Sequence, residues 1–597
     1  MRKFINLFIA LILLPGPLVW AQNPTPVNQP TTSAQKETAP TDQLRQEIEL
    51  LKKTISALEE RLAAQEKKQT EVQATTPDQK TNEQLKDLDR RVTKTERDTA
   101  LQRVKFGGDY RFEAHSIQGT IPAHFDGMKL QNLVVKSMFA MNVLGRPPAS
   151  VNEINQAVAG HYSDYQYFTS SLTFDQLKQA MGQFPAELQQ QLFGMLMPAT
   201  FVPEYKADNK ILYTNRLRIR MDSQLADNLT VSARLSMYKV FGDSTGVQVF
   251  NGAPNTLNID GTTAGVPNSD ILRVERAYFT WNNIGNSPFF LSIGRRPSTE
   301  GPPLNLRQDE LRGGTPSGAL IDYQFDGMTF GFRASDHTIL RLCYGVGYES
   351  GFGNGEVLKL PQDRLKDVHF LGGNVDLWTS ENMLIQATVA RAFDVTDGFN
   401  GTMVLPNNPL TGDPVGAPVV MRFTPSTNLG NINLYGLNVT RKFNHLDTFV
   451  SANFVGLRPN DKTTPFGGLG VDPFEVPKNQ NGSMIYLGAR YGFGNDDRSK
   501  IGFEFNKGSK YWFNFAQAED DIISPKTNTR GEVYETYFTH RITSRFIFKA
   551  DFMRYNYKYS GSGWHLGAPK KLTDSPILGF PTYSKASKFS VGLVARF

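Results

Sequence analysis

Arg216, Arg218 and Arg220 stand at alternate positions of NRLRIRMD, with Leu217, Ile219 and Met221 between them and Asp222 continuing the polar parity. An arginine row of this kind is permanently cationic and matches the geometry of anionic groups. Asp109, Arg111 and Glu113 repeat the alternation in an earlier segment, and Arg234, Arg296 and Arg341 extend it in later ones. Rows of charge line ion pathways and set their selectivity. The same residues would equally serve as an arginine–carboxylate lattice that stiffens a wall. The segment ILRVERAYFTW, from Ile271 to Trp281, fits neither parity, which suggests a bulge.

Catalytic and metal-binding patterns fail on their context. GDSTG at 242–246 matches G-x-S-x-G but leaves a strand for a long loop, where a nucleophile elbow needs a helix. The glycines of GVGYESGFGNG lack the helix that follows a phosphate loop. Asp394, Asp397 and Asn400 miss the calcium-loop spacing and read as turn chemistry. The eight histidines are scattered, and the single cysteine, Cys343, excludes an intramolecular disulfide, a haem-attachment pair and a cysteine zinc cluster. The chain therefore calls for no cofactor, no metal and no enzymatic activity. A net charge of +6 spread over 597 residues gives no basic patch, so nucleic acid is not an expected partner.

Residues of strict alternation need strands to position them. From residue 105 onward, period-two segments rich in Phe, Tyr, Val and Arg are separated alternately by very short and very long connections. About 16 strands are expected over 105–597, the first at 105–116 and the last at 586–597. Short turns on one side and long loops on the other describe an outer-membrane barrel with periplasmic turns and extracellular loops. Charge on a lipid face costs about 2–4 kcal/mol at the midplane, so the arginines must face the lumen. The last ten residues, KFSVGLVARF, fit a final barrel strand, with apolar residues every second position up to Phe597.

The first long loop, 117–210, holds a helical stretch, TFDQLKQAMGQFPAELQQQLFGMLMP, with Pro185 at the start of its second half. A lid, a plug or a latch to a neighbouring subunit are all open roles for it.

Ahead of the barrel, Arg2, Lys3 and a short, proline-broken apolar run predict a signal peptide over 1–21, cleaved after Ala21. Gln22 excludes lipidation of a new N-terminal cysteine. A Pro/Thr/Gln-rich linker follows over 22–41. Over 42–99, Leu44, Ile48, Leu51, Ile55, Leu58 and Leu62 form a heptad seam, with Glu47–Lys52 and Arg61–Glu66 as opposite charges that favour parallel pairing. This is read as a self-associating periplasmic coiled coil, with a lone amphipathic helix packed on a domain as the alternative.

Signal peptide, coiled coil and terminal-Phe barrel together resemble bacterial outer-membrane porins, and sugar-specific porins of the sucrose type also carry an N-terminal coiled coil. DNKILYTNRLRIRM, MYKVFGDSTG and SIGRRPSTEGPPLNLR are more closely similar to stretches of an uncharacterised family of outer-membrane β-barrel proteins, which brings no substrate or catalytic residue. The resemblance implies a trimer, whereas Ile at a and Leu at d favours two strands, leaving trimer or dimer open. It implies recognition of the terminal strand, Phe597 above all, by the barrel-assembly machinery. It also implies that the loop 298–325, with Arg307, Asp309, Glu310 and Arg312, folds inward as a constriction whose opposed charges orient polar solutes; an ordinary surface loop is the alternative. The expected function is a passive channel for small hydrophilic or anionic solutes, with membrane lipid around it. The competing readings are a structural anchor to the cell wall or a periplasmic partner, and a barrel sheath around an electron-transfer cytochrome.

Overall fold

The computed structural model describes residues 49, 52–64, 86–93 and 104–597, apart from 243–264, 266, 268, 325, 354–356, 361–364, 398–401, 408–413, 423–424, 465, 517–519 and 580. The signal peptide, the linker, most of the heptad segment, GDSTG beyond Gly242, and Asn400 lie outside the described residues. The chain divides into two units, Met1–Glu96 and Arg97–Phe597. In the first, 52–64 and 86–93 are helical.

The second unit is a closed barrel of sixteen antiparallel strands in sequential order. They are β1 (Val104–Ile121), β2 (Tyr205–Ala226), β3 (Leu229–Val240), β4 (Ser269–Trp281), β5 (Phe289–Arg295), β6 (Asp326–Arg333), β7 (Ile339–Tyr348) and β8 (Val368–Ser380). The second half comprises β9 (Met383–Thr396), β10 (Asn428–Phe443), β11 (Leu446–Pro459), β12 (Gln480–Phe493), β13 (Ser499–Gly508), β14 (Gly531–Arg541), β15 (Phe546–Tyr557) and β16 (Lys585–Arg596). β16 closes on β1 with Tyr110 opposite Ala595, and Phe597 exchanges backbone hydrogen bonds with Gly108 at 2.9 and 3.1 Å.

Alternation explains each strand. In β13, Phe503 faces outward and is exposed while Glu504 and Asn506 are buried inside. In β16, Phe589 and Leu593 face out, and Lys588 and Ser590 face in. Phe106, Trp281, Trp378, Phe443, Phe493, Phe546 and Phe597 are exposed and all sit at the short-turn ends of their strands. That ring is the aromatic girdle of a membrane interface. The turns themselves use Asn283, Asn444, Asp496 and Asp497 at positive φ, the non-glycine residues that best tolerate left-handed backbone. The mismatch suspected in ILRVERAYFTW is a bulge: Arg234 pairs with Arg276 and Leu235 with Val274, so Glu275 has no partner in the ladder.

Five helices fill the first loop: α1 (Gly127–Leu144), α2 (Val151–Gly160), α3 (Tyr162–Ser171), α4 (Phe174–Gln183) and α5 (Ala186–Leu196). Thr173 and Gln176 form a reciprocal capping box at the start of α4, and Pro185 immediately precedes α5. Of these, α1, α2 and α5 share a core around Leu130, Leu133, Ile154 and Leu196.

The largest apolar cluster lies inside the barrel. Loop 296–325, between β5 and β6, and loop 509–530, between β13 and β14, meet there. Leu320, Ile321, Trp512, Phe513 and Phe515 pack against Ile432, Leu434, Val455 and Leu457 of the wall. Full burial of such side chains contributes about 1.5–3 kcal/mol each. Backbone bonds join the two loops: Phe515 N–H donates to Leu320 O at 3.2 Å, and Asp322 N–H to Phe515 O at 2.6 Å.

Candidate functional site in the barrel lumen

A sixteen-stranded barrel is wide enough for an aqueous channel unless something fills it. Here the two in-folded loops do, and buried charge attaches them to the wall. On β1 and β2, Arg111 and Arg216 converge on Asp520 of the second loop, Arg111 through Nη2 at 3.0 Å and Arg216 through Nη1 at 2.8 Å. Arg216 also donates to Asp109 at 3.0 Å, and Arg111 Nε lies 3.1 Å from Glu113. Arg218 bonds Glu275 at 3.1 Å and contacts Glu300; Arg234 bonds Glu300 at 2.7 Å and contacts Glu275. The bulge in β4 thus turns Glu275 into the space between two arginines.

Arg220 shares the inward parity but lies towards the short-turn end, where its side chain is 67% exposed and pairs with Asp222. Arg296, just past the end of β5, donates to Ser292 of that strand at 3.0 Å. Arg341 lies 2.9 Å from Asp376 of β8. The arginines of β1–β3 are therefore mostly engaged in a lattice rather than spread along an open wall.

Loop 298–325 crosses the lumen. Arg312 bonds Asp376 on β8 at 3.0 and 3.2 Å, whereas Asp309 accepts from Arg490 of β12 at 3.1 Å and from Lys500 of β13. Arg307 reaches Asp521 at 2.8 Å and lies 3.6 Å from Glu535 of β14; Glu310 lies 3.8 Å from Arg596 of β16. Gly301 permits the fold-back, because a Cβ there would stand 1.9 Å from Pro316 O.

Electrostatics on the loops follow from these partners. Burial alone would raise the carboxyls of Glu300 and Asp520, but Arg218, Arg234 and Arg276 hold Glu300 well below the usual range, and Arg111 with Arg216 does the same for Asp520. Asp322, fully buried with Glu300 beside it, is instead pushed up to about 7 by burial. Arg530 donates to the carbonyls of Trp512 and Ser560 at 3.0 Å and of Trp564 at 2.7 Å, tying the 509–530 loop to the β15–β16 connection at the top of β14.

Several partners have no signature in the sequence. Lys526 contacts both Glu504 and Glu535, and Lys588 lies 3.1 Å from Asp551. Lone charges at inward positions of otherwise regular strands could have indicated Glu504 and Glu535. The acidic run Glu519-Asp520-Asp521 could have been matched to the arginine excess of β1–β3. Between lattice and loops remains a polar cavity of about 20 Å³, lined by Arg111, Glu113, His115, Arg307, Asp520 and Lys588 among others. That is room for about one water. Among the described residues, no group of His, Cys, Asp and Glu could hold a metal ion. Asp394 has positive φ, and Asp397 caps the backbone N–H groups of Ser426 and Thr427 at 2.8 and 2.7 Å.

A closed, sequential barrel with an apolar exposed exterior, an aromatic girdle and a charged interior is a transmembrane β-barrel of the outer-membrane type. Residues 206–597 match the family described as protein of unknown function DUF3373, and the chain belongs to that family. No curated protein matches it. Among solved structures, it is similar to the trimer form of OmpT, an outer membrane protein of Vibrio cholerae, at 11% identity and a TM-score of 0.34, covering 83% of this chain and 99% of that one. It is also similar to the outer membrane channel DcaP of Acinetobacter baumannii, at 10% identity and a TM-score of 0.35, covering 83% and 97%.

Proposed function

We propose that the protein is a narrow porin-like channel of the outer membrane for small hydrophilic solutes, with anions preferred. One observation carries this reading: a charged loop crosses the lumen, bonding β8 through Arg312 and β12 through Asp309. Charges of both signs on that loop and on the wall it bonds give any passage beside it a field that aligns polar solutes. Arg220, exposed at one mouth, supports the anion preference. In the arrangement that goes with this reading, the turns are periplasmic and the long loops extracellular. A mature chain begins after Ala21, and 22–41 tethers the coiled coil of 42–99, which joins subunits into a dimer or trimer. Assembly machinery takes the chain by its terminal strand and Phe597.

A second reading has its own support. The loops bury Trp512, Phe513 and Phe515 against the wall, a dry plug that suits a structural anchor bound to the cell wall or a periplasmic partner through its N-terminal segment. The in-folded loops weigh against the cytochrome-sheath reading, since they take up lumen space that such a cargo would need.

Planar-bilayer recording from the purified mature protein, with reversal potentials in a salt gradient, decides between the first two. Small, stable conductance steps with an anion-selective reversal potential are expected. A silent bilayer, from protein shown to be folded and inserted, would overturn the channel and leave the anchor.

A further inference from the structure

On the long-loop side, outside the lumen lattice, lies an apolar cavity of about 530 Å³. Met181 of α4 and Phe193 of α5 form part of one wall; Phe474, from the β11–β12 connection, and Trp564 and Ile577, from the β15–β16 connection, form part of the other. The walls are held independently of any occupant. The capping box fixes α4, and a short strand, His124–Asp126, pairs in parallel with Ile577–Leu578. Asp472 accepts from Ala568 N–H at 3.0 Å and pairs with Lys570, which ties the two connections together.

Such volume and lining fall within the range of small-molecule sites, which are concave, mostly apolar and carry few polar groups. Several lining side chains stay exposed to water, Phe474 at 62%, with Met128, Phe193 and Ile577 also exposed. The polar groups narrow the class of occupant. Lys570 is the one cation among the described lining residues, and Asp472 engages it. Glu475 adds a further negative charge. A carboxylate ligand would meet net repulsion and no available cation, whereas Ser560, Ser562 and Thr582 offer hydroxyls at the cavity wall.

We infer that this cavity binds an uncharged, chiefly apolar small molecule, alkyl or aromatic, bearing at most a hydroxyl or carbonyl. The site stands whether or not the lumen conducts.

Trp564 makes the inference testable on the full-length protein in lipid nanodiscs. Bromoundecanol, whose bromine quenches tryptophan on contact, is titrated against bromoundecanoate of the same chain length. The expected result is saturable quenching by the alcohol that Trp564→Phe removes, with the carboxylate at least about tenfold weaker, a difference of roughly 1.4 kcal/mol. Trp281 and Trp378, exposed on the barrel exterior, report partition into lipid in the same experiment. Phe474→Glu, at a side chain 62% exposed, is expected to weaken binding without changing the barrel's circular dichroism. Quenching that rises linearly and survives Trp564→Phe, an unchanged affinity in Phe474→Glu, or equal binding of alcohol and carboxylate would each overturn it.

Discussion

Arg216 donates from Nη1 to Asp520 Oδ2 at 2.8 Å, linking the second barrel strand to a loop 304 residues further along the chain. Arg111 shares the same carboxylate. Two guanidinium groups removed from water need that acceptor, because the desolvation of a buried charge is repaid only by close, well-hydrogen-bonded partners. The loop is therefore held by a charge requirement as well as by its apolar packing.

Asp520→Asn tests how far that requirement closes the lumen. Removing one partner of a buried pair typically costs about 3–5 kcal/mol, because the remaining charges stay desolvated. The expected outcome is a loosened 509–530 loop, seen as larger and noisier single-channel conductance with the barrel still folded. Conductance indistinguishable from the parent protein would show that this loop does not limit passage.

Arg220 separates selectivity from the lattice. Reversing Arg216 or Arg218 would place like charges against Asp520, Glu275 and Glu300, so any change in selectivity would be mixed with disruption. Arg220 is exposed and pairs only locally with Asp222. Arg220→Glu is expected to move the reversal potential towards cations while unit conductance changes little. An unmoved reversal potential would remove this residue from the anion pathway.

Much of this architecture is legible in sequence because barrel strands are specified locally. Parity alone puts Glu504 or Lys588 inside and Phe503 or Phe589 outside, and a broken parity in ILRVERAYFTW already marks the bulge that carries Glu275. The first loop's Pro185 break and its two flanking helices are local as well. Loop 509–530 is different. It has no periodicity, and its partners, Arg111, Arg216 and Ala319, lie hundreds of residues away in the chain. The inward fold of 298–325 came from resemblance alone, since the attachments of Arg312 to Asp376 and Asp309 to Arg490 depend on the closed barrel. Lone charges could be placed on a face, but which opposite charge each one meets is a property of the assembled lumen.

Asp322 gives the plug a pH dependence of opposite sign to the lattice. Burial pushes its carboxyl up to about 7; the Glu300 N–H that donates to it at 2.6 Å opposes the rise, the Glu300 charge adds to it, and Arg307 on the same loop and Arg276 on β4 oppose it. A raised folded value means that its contribution is complete below the unfolded value near 4 and is lost as pH climbs through about 7. Glu300 and Asp520, held low, contribute above the unfolded value and lose that only in strong acid. Asp322→Asn is thus expected to gain thermal stability relative to the parent as pH rises from about 5 to 8. A stability difference that stays constant across that range would sink the assignment.

The heptad segment supplies the last test. Residues 52–64 are helical, and Ile55, Leu58 and Leu62 are 51%, 59% and 60% exposed on a single chain. Three apolar side chains repeating along one helix, left in water, form a seam that association would bury, at about 25 cal/mol per Å² of apolar surface. Deleting 42–99 is expected to lower the number of subunits per oligomer, counted by native mass spectrometry, while the barrel still inserts. Ile55→Asp with Leu62→Asp should do the same without shortening the chain, since two charges in the seam must be desolvated for the helices to pair. An unchanged subunit number in both variants would locate subunit contacts on the barrel and return the heptads to a lone surface helix.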